Sequence, residues 1–206
     1  MPYRVMIIKW LRRVFRRKTR SDYYELRSED IEVLKVTWDR AKKKNIGQHI
    51  LRVLIERRPV FMDYYGIKVA SQEELDSCKE FQLQACRIQN FFDTTIGTLG
   101  FCPITAVHQM AHRIGQIHYY KGVNFGADNW LTFKCAAVDI ITGQIKKDAT
   151  NGDLNSHGSV FEVGGLAPAS VTKVAWEKFM GIIIREMKRG FLEEALKNCE
   201  EEMPSR

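Results

Sequence analysis

The sequence predicts a protein built from α-helices alone. Apolar residues recur every three to four positions along almost the whole chain, which is the spacing of one buried helix face. No stretch alternates apolar and polar residues in the manner of a half-buried strand. The chain has 206 residues, 45% of them hydrophobic, and is long enough to form a sizeable core. We therefore expect a single all-α domain.

Start and stop signals divide the first half of the chain into helices. Ser28, followed by two acidic residues, is the predicted N-cap of the first helix of the domain. A break at residues 45–47 separates it from a second helix, which Pro59 ends. After a short helical turn and a loop, Ser71 is the predicted cap of a long helix that continues through Ile96.

The second half of the chain predicts three further helices. Pro103 precedes a helix at residues 104–120. The next helix is expected to begin at Asp128 or Asn129, both of which are good capping residues. Pro168 suits the first turn of the last helix.

Composition indicates how the domain is bounded. Residues 1–27 are predicted to form a basic amphipathic extension and residues 28–198 the helical domain. Within the domain, residues 146–167 are rich in Gly, Asn, Asp and Ser, which predicts a long loop before the last helix. Residues 199–206 form an acidic tail.

Positive charge is concentrated in the N-terminal extension. The first 20 residues hold eight Lys and Arg and no acid, whereas the whole chain carries +7, so residues 21–206 have a net charge of −1. This nearly neutral body gives no basis for nucleic-acid binding. Residues 4–20 would place apolar and basic side chains on opposite arcs of a helix, which is typical of binding to an anionic membrane surface. A mitochondrial presequence, a calmodulin-type target helix and a disordered extension are the alternative interpretations.

The cysteines favour a reducing compartment. There are five, an odd number, widely spread and without a CxxC motif, which is typical of free thiols. No apolar run approaches the roughly 20 residues of a membrane span, and no secretory signal is recognisable. We expect a cytoplasmic protein that associates with membranes through its N-terminal helix, with a mitochondrial location as the alternative.

His118 is the residue that points most directly to a function. It ends the run IGQIH at residues 114–118, and Gly122 and Val123 follow it. A neutral imidazole at the end of a helix can coordinate haem iron from one side. His108 and His112 lie one turn apart on the same predicted helix, but no carboxylate or thiolate is placed to complete a metal site with them. We interpret those two as surface histidines.

Over residues 28–195 the chain resembles a globin, and most closely the nematode globins and neuroglobin-like proteins. The resemblance implies the globin fold, a three-over-three helical sandwich, and one haem b (iron) as the cofactor. The matching positions occur in the family's chain order: Thr37, Trp38, Gly47, Pro59, Asp93, residues 115–118, Gly122, Val123, Ala175, Trp176, Phe179 and residues 187–191.

The resemblance also implies the residues of a haem pocket. His118 falls at the position of the proximal iron ligand, and Gln84 at the distal position on the opposite side of the haem, with Ile88 one turn later. Arg87 would lie at the pocket rim and pair with a haem propionate. Leu51 falls at the pocket position of the second helix. Val123, shortly after the proximal histidine, completes the haem-binding set.

One aromatic position departs from the family pattern. Where globins nearly always have a phenylalanine packed flat on the haem, six residues after Pro59, this chain has Tyr65. The tyrosine ring can still stack, but its hydroxyl needs a partner or water. Phe61 or Tyr64 would take the position in another register.

Gln84 sets the expected function. Glutamine is a poor iron ligand, but its amide N–H can donate a hydrogen bond to dioxygen. We therefore expect an open sixth iron position and reversible binding of O₂, with CO and NO as further ligands, for transport, storage or sensing rather than enzymatic turnover. The alternatives are redox chemistry such as NO dioxygenation, which needs a reductase partner, and ligand-dependent signalling at a membrane.

Overall fold

The structure, a computed structural model, describes residues 25–69, 72–123, 126–143 and 168–201, and these ranges are helical with short connections. The all-α prediction is confirmed. The helices are α1 (Ser28–Ala41), α2 (Ile46–Arg57), α3 (Val60–Tyr65), α4 (Gln72–Leu75), α5 (Lys79–Thr98), α6 (Ile104–Tyr120), α7 (Ala127–Ile141) and α8 (Ala169–Glu201), with a 3₁₀ turn (Lys42–Lys44) after α1.

Three predicted helix starts need correction. The start predicted at Asp128 or Asn129 lies earlier, since α7 begins at Ala127 after the capping residue Gly126. Ser28 is the first residue of α1 rather than its cap, and the Asp30 carboxylate accepts a hydrogen bond of 3.0 Å from the backbone N–H of Arg27. The helix predicted to run from Ser71 is interrupted, since α4 ends at Leu75 and α5 begins at Lys79. Leu75, which is 1% exposed, packs into the core at this point, and the N–H of Cys78 returns to the Leu75 carbonyl at 3.2 Å. The N-terminal extension to residue 24 and the loop predicted at 146–167 lie outside the described residues.

Three buried aromatic residues join α1, α5 and α8. The rings of Trp38, Phe92 and Trp176 pack with centroids 5.4 to 6.3 Å apart. Trp38 Nε1 donates a 2.7 Å hydrogen bond to Asp93 Oδ1, and Trp176 Nε1 donates one of 2.8 Å to Thr37 Oγ1. Each indole N–H thus has a partner inside the core, which removes the cost of burying it.

Glycines permit two close crossings of helices. A Cβ at Gly47 of α2 would lie 2.2 Å from the Ala85 carbonyl oxygen of α5. Between α6 and α8, a Cβ at Gly115 would lie 1.9 Å from the Met187 carbonyl oxygen, and one at Gly190 would lie 2.0 Å from the His112 carbonyl oxygen. Only glycine lets these backbones touch.

The crossings therefore define two closely packed helix pairs, α2 with α5 and α6 with α8. Each pair is called a wall below, because α5 and α6 face each other across a cavity. Over the described ranges, no helix has the length and apolar character to span a bilayer.

Candidate functional site

A cavity of about 1220 Å³ lies between α5 and α6. It is larger than the roughly 300–1,000 Å³ of most small-molecule pockets. Its lining is largely apolar, with charged side chains from the helix surfaces among its members. The apolar lining residues are Ile88, Phe91, Met110, Ile114, Ile117, Val123, Trp130, Phe133 and Met187.

His118 lines this cavity from the last turn of α6, and the local sequence explains its position. Gly122 adopts a left-handed conformation with φ +67°, which closes the end of the helix. The N–H of Val123 returns to the His118 carbonyl at 3.0 Å, and that of Gly122 to the Tyr119 carbonyl at 3.0 Å. This is the Schellman arrangement of a glycine-terminated helix. It places Val123, which is 4% exposed, in the cavity wall beside the histidine.

The His118 imidazole is held in its neutral form. Burial lowers the pKa of His118 to about 4, because the charged form would lose its hydration. Its ring packs edge to face on Trp130, with centroids 5.9 Å apart. A neutral imidazole in a mainly apolar wall has the chemistry of a metal ligand, and neutral nitrogen is the form that binds iron.

Gln84, Arg87 and Ile88 line the cavity from α5. Arg87 Nη1 donates a hydrogen bond of 3.4 Å to Gln84 Oε1, which is at the long end of the range. The amide NH₂ of Gln84, with two donor hydrogens, is the group not engaged by Arg87. Ile88, at 7% exposure, adds an apolar surface one turn away. The structure thus brings these three predicted residues and His118 to one cavity.

The aromatic position near α3 is filled by two tyrosines. Tyr64 and Tyr65 both line the cavity, whereas Phe61 is fully buried in the core beneath them. Phe61 stacks on the Tyr65 ring at 6.0 Å. Burial raises the pKa of the Tyr65 phenol, so that it keeps its proton and remains a hydrogen-bond donor.

Leu51 is the one predicted pocket residue that the structure does not bring to the cavity. It has 0% exposure and belongs to the hydrophobic core. Leu51 lies one helical turn after Gly47, on the part of α2 that crosses α5.

Sequence reasoning missed several residues of the site. Arg113 of α6 and Lys121, the residue after the end of that helix, line the cavity. With Arg87, three cations therefore border it, against one carboxylate from Asp63. Lys121 and Ile114 lie three residues after and four residues before His118, and helical spacing alone would have placed them on the histidine's face. Phe133 and Met187 come from α7 and α8, and no local pattern in the sequence links them to His118.

The other two histidines of α6 lie outside the cavity lining. His112 pairs with Glu193 of α8, Nε2 to Oε2 at 2.7 Å. His108 is half-buried, and this burial lowers its pKa. Neither lines the cavity.

The residues of the cavity fit a haem group. A single imidazole is too little to hold a bare metal ion, but it suffices for an iron that brings four nitrogens of its own. The apolar surfaces suit a porphyrin ring, and the bordering guanidinium and ammonium groups suit carboxylates on its edge. In this arrangement His118 would hold the iron, and Arg87, Arg113 and Lys121 would hold the propionates.

The chain has a globin-like fold. Ten solved chains match its structure. One is the globin-like protein Glb-12 from C. elegans, with a TM-score of 0.66 and 17% sequence identity, over 88% of this chain and 98% of that one. No protein-family model matches the sequence, and no curated protein does. A likeness at this identity establishes the fold alone.

Proposed function

We propose that the protein binds one haem b through His118 and binds O₂ reversibly on the opposite side, beside Gln84. The observation that carries this proposal is a single large cavity lined by both residues, which come from different helices. Ferrous haem supplies the iron centre at which O₂ binds. The physiological use would be transport, storage or sensing of the gas.

Each residue of the cavity has a defined part in this function. His118 offers a neutral nitrogen to the iron, since burial lowers its pKa to about 4. Ile88 and Phe91 exclude water, and a dry site favours release of unchanged O₂ over oxidation of the iron. Gln84 offers its amide N–H to the ligand, while its oxygen accepts from Arg87 at 3.4 Å.

A haem titration of the full-length protein tests the proposal. We expect a Soret band that saturates at one equivalent of haem. Tight saturable binding that survives gel filtration supports the function. A protein that retains no haem after reconstitution would leave the globin-like fold without this activity.

Redox chemistry at the same haem is the alternative function. Lys121 and Arg113 are exposed where they border the cavity, and such cations favour the docking of an acidic electron-transfer partner. NO dioxygenation would then require electrons from a separate reductase. Turnover of NO in the presence of NADH and a reductase would favour this enzymatic alternative over the non-enzymatic proposal.

Membrane binding by residues 4–20 is a separate proposal that rests on sequence. Its basis is the basic arc described above, where each cation near an anionic surface contributes about 1 kcal/mol. We expect sedimentation with vesicles containing phosphatidylserine, and none with purely neutral vesicles. A variant with Arg12, Arg13, Arg16 and Arg17 changed to Gln should lose this binding. Equal binding to both kinds of vesicle, or none, would contradict the proposal.

A further inference from the structure

The last turn of α6 is joined to α8 by a group of polar side chains. Glu194 of α8 is 5% exposed, and its carboxylate accepts three hydrogen bonds. Gln116 Nε2 donates to Oε1 at 2.7 Å, and Lys197 Nζ donates to the same oxygen at 2.9 Å. The Tyr120 hydroxyl donates to Oε2 at 2.6 Å. These four residues are the Glu194 cluster.

The Glu194 cluster contacts α6 on the side of the helix that faces away from the cavity. Gln116 and Tyr120 lie two residues before and two residues after His118, which is about 200° around the helix in either direction. Neither of them lines the cavity, whereas His118 and Lys121 do. The imidazole therefore projects from one side of this turn, and Glu194 holds the other side.

A backbone contact next to the Glu194 cluster limits how far α6 can shift relative to α8. Gly115 lies against the Met187 carbonyl of α8, so the backbones of α6 and α8 are in close contact one residue before Gln116. Beyond this backbone contact, the hydrogen bonds from Gln116 and Tyr120 to Glu194 hold the rotation of the remaining turn relative to α8. Charge-assisted bonds to a buried carboxylate are among the stronger polar contacts in a protein.

We propose that Glu194 is a positioning residue for His118. By holding Gln116 and Tyr120, it fixes the rotation of the last turn of α6 and thereby the direction in which the imidazole enters the cavity. The effect on iron coordination rests on the proposed haem function. The effect on the rotation of the last turn of α6 does not depend on haem.

The chain offers a matched control for this idea. Glu193, the preceding residue of α8, also bonds to α6, through His112 at 2.7 Å. His112 lies six residues before His118, so this bridge joins the same two helices without touching the last turn. Glu193→Gln therefore removes a comparable contact between α6 and α8 and leaves the Glu194 cluster in place.

The iron–histidine stretching band of the ferrous, haem-loaded full-length protein reports the orientation of the imidazole. We expect Glu194→Gln and the milder Tyr120→Phe to shift or broaden this band, and Glu193→Gln to leave it as in the wild type. A purely structural role would lower stability in both glutamine variants without moving the band. An unchanged band in Glu194→Gln, or an equal shift in Glu193→Gln, would overturn the proposal.

Amide hydrogen exchange of the haem-free protein gives a second readout. Glu194→Gln should speed exchange at the end of α6, around residues 117–121, more than Glu193→Gln does. Equal exchange in the two variants would contradict the positioning role. If the protein bound no haem, the proposed function would fail, and the exchange experiment would still decide whether Glu194 fixes this turn.

Discussion

The two walls of the cavity are built differently. The wall that carries His118 pairs α6 with α8 through two glycine contacts, at Gly115 and Gly190, and through the buried carboxylate of Glu194. The wall that carries Gln84 pairs α2 with α5 through one glycine contact, at Gly47. Two of its polar cavity residues, Gln84 and Arg87, are joined by a single exposed hydrogen bond of 3.4 Å.

The difference in packing between the two walls matches two different requirements of the proposed haem site. An iron ligand needs a fixed direction, and the α6–α8 wall supplies it through contacts that do not tolerate displacement. A hydrogen-bond donor to a small ligand has to adjust as that ligand arrives and leaves, and a partly exposed side chain on α5 allows this. Substitutions in the first wall should therefore cost binding and stability, whereas those in the second should tune ligand kinetics.

The largest effect is expected from His118→Gly. Removal of the imidazole takes away the only proposed protein ligand to iron, so haem retention should be lost. Added free imidazole should restore a Soret band by occupying the space of the side chain. His112→Ala, on the same helix but outside the cavity, should retain haem. Full haem binding by His118→Gly without imidazole would assign the iron to another residue.

Alanine at the close crossings should lower stability markedly. A Cβ at Gly115 or Gly190 would lie 1.9 or 2.0 Å from a carbonyl oxygen, so the helices must separate. Overpacking of this kind typically costs about 1–3 kcal/mol, measured here by chemical unfolding.

Gly97 of α5 is the control for that comparison, because a Cβ there meets nothing within 4 Å. Gly97→Ala should stabilise the protein by roughly 0.5–1 kcal/mol, as alanine does in a helix interior. Loss of stability in Gly97→Ala equal to that in Gly115→Ala would show that the crossings are not the cause.

The Glu194 cluster predicts how stability changes with pH. The hydrogen bond from Tyr120, followed by that from Lys197, lowers the pKa of Glu194 from 4.5 to about 2. A depressed carboxyl pKa stabilises the fold above the unfolded value and loses that contribution as pH falls through the folded value. Unfolding free energy should therefore decline between pH 4.5 and about 2, and Glu194→Gln should show a smaller decline. Identical pH profiles for the variant and the wild type would rule out this contribution.

On the other wall, Gln84→Leu should change kinetics rather than haem binding. One hydrogen bond contributes about 0.5–1.5 kcal/mol, so O₂ should dissociate about 2- to 12-fold faster. Flash photolysis or stopped-flow mixing measures this rate. Gln82→Leu, on the same helix but outside the cavity lining, is the control and should leave the rate unchanged. An O₂ dissociation rate in Gln84→Leu equal to that of the wild type would remove Gln84 from the ligand site.

The smallest effects are expected from the bordering cations. Arg87→Gln and Arg113→Gln each remove one exposed partner for a carboxylate, and exposed ion pairs contribute about 0–1 kcal/mol. Haem transfer to an acceptor protein should therefore accelerate by no more than about 5-fold in either variant. A much larger acceleration of haem transfer in one variant would show that its arginine forms a buried ion pair with a haem carboxylate.

Much of the architecture was predictable because its causes are local. Gly122 and Pro103 end and begin helices by their own backbone constraints, and the periodic spacing around them defined α6 correctly at residues 104–120. The break between α4 and α5 was missed. The buried residue Leu75 ends α4, and burial depends on tertiary packing that the local sequence does not specify.

The cavity residues also fall into those that the sequence predicted and those that only the tertiary structure reveals. His118, Gln84, Ile88 and Val123 were placed by resemblance and helical spacing, and the structure gathers them at one cavity. Leu51, placed in the pocket by the same resemblance, lies instead in the hydrophobic core, and its haem contact stays a prediction. The Glu194 cluster joins residues more than 70 positions apart, and the sequence contains no pattern that relates them.

The visible spectrum of the purified, reduced protein, recorded without and with CO, is the direct test of haem bound through His118 with an open sixth position. We expect one broad band for the reduced protein, typical of five-coordinate iron, which sharpens and shifts when CO binds. Two sharp bands before CO is added would contradict an open position beside Gln84, since they indicate a second ligand from the protein. The absence of any haem band after reconstitution would contradict the proposal as a whole.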